Sequence, residues 1–85
     1  MTEYEAIEAF MAETIDKGTD SDWVRAAELY TRYRRWRKDK ENKDILDQEY
    51  SSSHIFGRQM RLRGIQKTRF AKGYYYQGIA WREPL

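Results

Sequence analysis

Cysteine and histidine, the side chains most used as nucleophiles, bases and zinc ligands, are scarce in this chain, whereas basic side chains are plentiful. There is no cysteine and one histidine, His54, so a disulfide framework and a cysteine-zinc site are both excluded. A Ser-His-Asp arrangement would have to be built on His54 alone. Asp44, Asp47 and Glu49 are oxygen donors of the kind magnesium accepts, but their spacing fits no recognised site, and a solvated loop is the better reading. No Gly-x-x-x-x-Gly-Lys-Ser/Thr run is present to cradle nucleotide phosphates. The chemistry on offer is cationic. Arg32, Arg34, Arg35, Arg37 and Lys38 form one run, and Arg58, Arg61, Arg63, Lys67, Arg69 and Lys72 form a second. Guanidinium and ammonium groups at that density, interleaved with hydroxyl and phenol groups, suit the binding of a phosphate backbone. Neither an enzyme centre nor a cofactor is expected.

The formal charge of +2 hides a strong segregation. Residues 1–24 carry a net −6, residues 25–40 a net +5, residues 41–50 a net −3 and residues 51–85 a net +6. One acidic end and a basic working surface are the pattern of a nucleic-acid binder, although solvated helix faces give the same pattern with no ligand. With 85 residues the chain has room for one core, so 1–85 reads as a single domain, packed largely by its aromatic residues. No apolar run approaches a membrane span, and no membrane partner is expected. A soluble, intracellular protein is the resulting expectation.

The elements that must position these cations follow from periodicity. Ile7, Phe10, Met11, Thr14 and Ile15 predict an amphipathic helix over residues 3–16, stopped by Gly18 and followed by a polar loop from Lys17 to Ser21. Asp22 to Arg25 is a short extended piece. Leu29, Tyr30, Tyr33 and Trp36 predict a second helix over 26–41 with a cationic opposite face. Residues 42–50 read as a loop with one helical turn at most. Ser51 to Ser53 supply hydroxyls for an N-cap, Phe56 and Met60 define the buried side of a third helix, and Gly64 ends it near Arg63. Ile65 to Phe70 and Tyr74 to Ala80 then predict an antiparallel hairpin turning at Lys72-Gly73. Tyr75, Ile79 and Trp81 share one parity, which puts Tyr75 and Ile79 on the core face. The order predicts an α+β winged helix-turn-helix: three helices, then a C-terminal β-hairpin wing.

Within that frame each cation has a candidate role. With Phe56 and Met60 buried, the third helix turns Ser52, Ser53, Arg58, Gln59, Arg61 and Arg63 outward. Ser52 and Ser53 permit close approach, while Arg58 and Gln59 have the bidentate geometry for guanine and adenine. Arg61 and Arg63 are placed to reach flanking phosphates. His54, in the first turn, is either idle or a phosphate donor when protonated. In the hairpin Lys67, Arg69 and Lys72 follow a backbone or enter a minor groove, with Tyr74 adding a hydrogen bond or a stack. Three successive tyrosines also suggest a platform for single-stranded bases, set against the plainer reading that they brace the sheet. On the second helix Arg34, Arg35 and Lys38 lie away from Tyr33 and Trp36, where they either clamp phosphates or pair with the acidic first helix. Trp36 is assigned to the core and Trp81 to a sheet edge, and Trp23 to neither.

A family resemblance runs through nearly the whole chain. Ile7-Glu-Ala-Phe10-Met-Ala-Glu13 is followed by Val24-Arg-Ala-Ala-Glu-Leu-Tyr30 with Tyr33 and Trp36, then Phe56-Gly-Arg58 with Met60, and Gly64-Ile65. Lys67, Arg69, Gly73 and Tyr75-Tyr-Gln-Gly-Ile79 complete the series. In this order and spacing they resemble the C-terminal domain of phage and plasmid primase-helicases, the superfamily 3 type related to poxvirus primase-helicase. The resemblance implies a winged-helix module for double-stranded DNA, carried behind the ATPase motor domain of a larger replication protein and helping to load the helicase at an origin. It also implies the cytoplasm of a bacterial or phage-infected cell. Two other readings stay open: a protein-interaction module that docks a replication partner through the acidic first helix, and a small dimeric transcription regulator.

Overall fold

A computed structural model describes residues 2–41 and 53–83. Helix α1, Glu3–Thr14, starts with a capping box: the Thr2 hydroxyl accepts from the Glu5 backbone N–H at 3.2 Å, and the Glu5 carboxylate accepts from the Thr2 backbone N–H. The hydrogen bonds from Thr2 hold the Glu5 carboxyl below its ordinary pKa. The helix ends two residues before the expected stop and without the help of Gly18. Thr14 turns its hydroxyl back onto the Phe10 carbonyl at 2.7 Å, and Ile15 is already extended at φ −122°, ψ 135°. The reason is a strand pairing: Ile15–Lys17 forms β1, antiparallel to Ile79–Trp81. There a β-branched residue gains more than it would in another helical turn.

The extended piece becomes β2, Trp23–Arg25, followed directly by α2, Ala26–Glu41. Helix α3, Ser53–Leu62, precedes β3, Lys67–Phe70, β4, Gly73–Gln77, and β5, Ile79–Trp81. The molecule is therefore α+β, with three helices and two antiparallel sheets among the described residues, β1-β5 and β2-β4-β3. The expected 42–50 loop, with Asp44, Asp47 and Glu49, and the capping residues Ser51 and Ser52 lie outside the described residues.

The hairpin differs from expectation in two details. Phe70 pairs with Gly73, so the turn residues are Ala71 and Lys72, one position early. The second strand is also broken: Gly78, at φ +83°, separates β4 from β5. That break defeats the parity argument, because Ile79 no longer shares a pleat with Tyr75. Tyr76 is the β4 residue that enters the core, opposite Val24 of β2, while Tyr75 faces the other way, opposite Arg25.

One core joins all the layers. Ala6, Ile7 and Phe10 of α1, Leu29 and Tyr33 of α2, and Phe56 and Met60 of α3 close over Ile15, Val24, Tyr76 and Ile79 of the strands. Phe10 meets Tyr33 and Trp36 edge to face at 5.5 and 5.7 Å, and Tyr33 lies 5.1 Å from Phe56. Trp36 packs against this core as its place in the stripe predicts. Trp81, half-buried on β5, lies 4.5 Å beneath the Arg32 guanidinium.

Candidate nucleic-acid interface

Helix α3 and the β3–β4 hairpin face each other across a groove of about 640 Å³ lined by His54, Gly57, Arg58, Arg61, Ile65, Gln66 and Lys67. The helical contributors fall at i, i+3, i+4 and i+7, one continuous face. Gly57 faces the sheet: a β-carbon there would lie 3.7 Å from the Tyr76 hydroxyl and 3.8 Å from Lys67 Nζ. The end of α3 sets the angle between the two walls. Gly64 N–H donates to the Arg61 carbonyl at 2.9 Å and Ile65 N–H to the Met60 carbonyl at 3.1 Å, with Gly64 at φ +79°. This is a Schellman closure, and its apolar contact is made by Ile65 packed against the core that holds Met60. The chain then enters β3 with Lys67 beside the groove.

Register determines which hairpin side chains join the site. Lys67 pairs with Tyr76 and Arg69 with Tyr74, so Lys67, Arg69, Tyr74 and Tyr76 share the face toward α3. Tyr76 fills the core end, where burial pushes its phenol pKa up. Toward the tip, Lys67 Nζ and the Arg69 guanidinium lie 4.8 and 5.9 Å from the centre of the Tyr74 ring. Tyr74 remains exposed between them. Lys72 occupies the turn, exposed.

Other expected site residues are placed elsewhere. Arg63 turns away from the groove. Its guanidinium donates to the Glu8 carboxylate at 2.7 Å and to the Gln59 carbonyl and Oε1 at 3.0 Å, and it lies 4.7 Å from the Tyr4 ring. Gln59 is half-buried and its amide oxygen is engaged by that contact. The signal was in the sequence: Arg63 lies seven residues after Phe56 and three after Met60, on the buried stripe. Ser53 opens α3, and Ser52 lies outside the described residues. Gly57 and Gln66, which line the groove, were not anticipated.

Among the described residues, no α2 side chain lines the groove. Arg37 pairs with Glu3, and Lys40 with Glu13 at 3.4 Å, so part of the basic run does bind the acidic first helix. Arg34 leans toward the Tyr30 ring, its guanidinium 5.8 Å from the ring centre. Arg35, about 100° further round the helix, lines a separate depression with Arg25 and Arg32. Lys38 is exposed one turn beyond Arg34. Arg34, Arg35 and Lys38 thus stand outside the α3 groove.

Among the described residues no group of histidines and carboxylates has the arrangement of a metal site, and no helix is long and apolar enough to cross a membrane. Comparison with protein families, characterised proteins and solved structures gave no match.

Proposed function

We propose that the chain is a winged helix-turn-helix that binds double-stranded DNA, with α3 as the recognition helix and the β3–β4 hairpin as the wing. The observation that carries this reading is the groove, where His54, Arg58 and Arg61 from the helix converge with Lys67 from the sheet. The strand order supports it too: a strand between the first and second helices pairs with the returning strand of the hairpin. Arg69, Tyr74 and Lys72 extend the cationic face to the hairpin tip. Arg58 and Arg61 approach base edges or flanking phosphates, and Lys67 and Arg69 take the backbone. The family resemblance further suggests a module of a phage or plasmid primase-helicase, binding DNA on behalf of an ATPase motor in the same protein.

The protein-docking alternative draws no support from the contacts of α1. Glu3, Glu8 and Glu13 are paired with Arg37, Arg63 and Lys40, and Glu5 is engaged in the cap.

The test is an amide NMR titration with a short duplex of random sequence at about 50 mM salt, a condition in which phosphate contacts dominate. Shifts are expected at His54, Arg58, Arg61, Lys67, Arg69 and Tyr74. Absence of shifts at excess duplex removes the proposal.

A further inference from the structure

The opposite face of the three-stranded sheet carries a second arrangement that the duplex reading leaves unused, apart from Lys72 in the turn. Strand β2 alternates Trp23 outward, Val24 inward and Arg25 outward. The register places Trp23 opposite Gln77 and Arg25 opposite Tyr75, and on β3 it places Thr68 opposite Tyr75. Trp23 and Phe70 meet edge to face at 4.9 Å, and Phe70 meets Tyr75 likewise at 5.5 Å. Gly73, the cross-strand partner of Phe70, puts no side chain beside that ring. Trp23 is 38% exposed and Phe70 44%, and a depression of about 440 Å³ lies among Trp23, Phe70, Ala71, Lys72 and Tyr75. An aromatic cluster left open on a sheet face needs an occupant or carries a standing cost in exposed apolar area.

The margins of the cluster specify the chemistry of that occupant. Arg25 donates from Nη2 to the Lys72 carbonyl at 3.3 Å, which fixes a guanidinium beside the hairpin turn. Arg25 also lines a neighbouring depression with Arg32 and Arg35, where, among the described residues, Glu28 is the one acid. The aromatic floor therefore runs directly into a cationic track. At the far end lie Asp20 and Asp22. The Asp22 carboxylate accepts from the Thr19 N–H at 2.8 Å, and the Asp20 carbonyl accepts from Gln77 Nε2 at 2.9 Å. A polyanion crossing this face is thus directed along the Arg25 margin and away from the acidic turn.

We propose that this outer face is a second nucleic-acid site, one that takes unpaired bases of a single strand on Trp23, Phe70 and Tyr75 and its phosphates along Arg25, Arg35 and Lys72. A duplex cannot use the floor, because its bases are already stacked on one another, whereas a single strand offers free π-faces. Of the three successive tyrosines that the sequence suggests as a platform, Tyr75 alone belongs to this site, since Tyr74 and Tyr76 lie on the other side of the sheet.

The test is a titration of the whole chain with a ten-residue oligothymidine at low salt, following backbone amides and the three tryptophan indole signals. The expected result is movement of the Trp23 indole and of the Arg25, Phe70, Lys72 and Tyr75 amides. Trp23→Ala should weaken oligothymidine binding about tenfold or more while leaving duplex binding unchanged, since base stacking acts on one ligand only. Arg25→Gln, which leaves every ring in place, should weaken it several-fold and reduce its salt dependence. Shifts confined to Arg58, Arg61 and Lys67 would assign the single strand to the α3 groove and overturn the proposal. So would Trp23 and Phe70 signals that move with protein concentration alone, which would mark a contact between copies, or that respond to an acidic peptide and not to the oligonucleotide.

Discussion

Arg58 and Arg63 stand five residues apart, both rich in donors, yet the structure gives them different work. Arg58 is exposed in the groove, whereas the Arg63 side chain is only 14% exposed and holds Glu8 and Gln59. Arg58→Ala should lower duplex affinity about tenfold with the melting temperature unchanged, as loss of one bidentate or phosphate contact implies. Arg63→Ala should instead cost roughly 1 kcal/mol of stability, discounted for the exposure of Glu8, with affinity following stability. Paired denaturation and binding curves on the two variants separate these outcomes. A second residue-scale prediction concerns Tyr76. Its folded pKa is raised by burial above the ordinary 10.0. The stability it lends is complete below pH 10 and falls as pH rises through the folded value, where ionising a buried phenol favours unfolding. Alkaline melting curves followed by circular dichroism should lose that component in Tyr76→Phe, which keeps the ring. The sequence could not identify Tyr76 as the core residue, since Gly78 inverts the alternation on which such an argument depends.

At the scale of elements, the three helices and the hairpin were legible because each has its own period or its own punctuation. The β1 strand was not, and β5 was legible only as the continuation of the second hairpin strand, not as the partner of β1. Each is three residues long, and the pairing that makes Ile15 extended comes from the far end of the chain, where no local signal reaches. The groove was half legible: the helix face follows from Phe56 and Met60, but the wall supplied by Gln66 and Lys67 depends on how sharply the chain turns after Leu62. That turn is testable. Gly64 has no atom within 4 Å of a would-be β-carbon, so Gly64→Ala isolates the cost of a left-handed φ, roughly 1 kcal/mol or somewhat more. Gly57→Ala should go the other way by about half a kcal/mol, since its β-carbon meets only ordinary contacts and alanine favours a helix interior. Thermal denaturation of both variants is the check, and equal signs would refute the account of the turn.

At the scale of the whole molecule, charge segregation in the sequence becomes a division of labour. The acids of α1 and β1 other than the capping Glu5 are taken up by Arg37, Lys40, Arg63 and Arg82, the last through Asp16 at 3.0 Å. Among the described residues no acid is ion-paired with Arg58, Arg61, Lys67, Arg69 or Lys72 on the α3 and hairpin face. If that face covers about five phosphates, log affinity against log salt should fall with a slope of about −4 to −5, and a slope near zero in a salt series would remove the electrostatic basis of duplex binding. The β1–β5 ladder has a different consequence, for the order of assembly. Its two strands lie at opposite ends of the chain, and the Arg82 N–H reaches back to the Thr14 carbonyl at 2.9 Å. Closing so large a loop is repaid only after the intervening elements have condensed, because the entropy lost grows with the length enclosed. The ladder therefore belongs to the final, downhill part of the folding reaction. Mutations within it should speed unfolding and leave the rate of folding almost untouched.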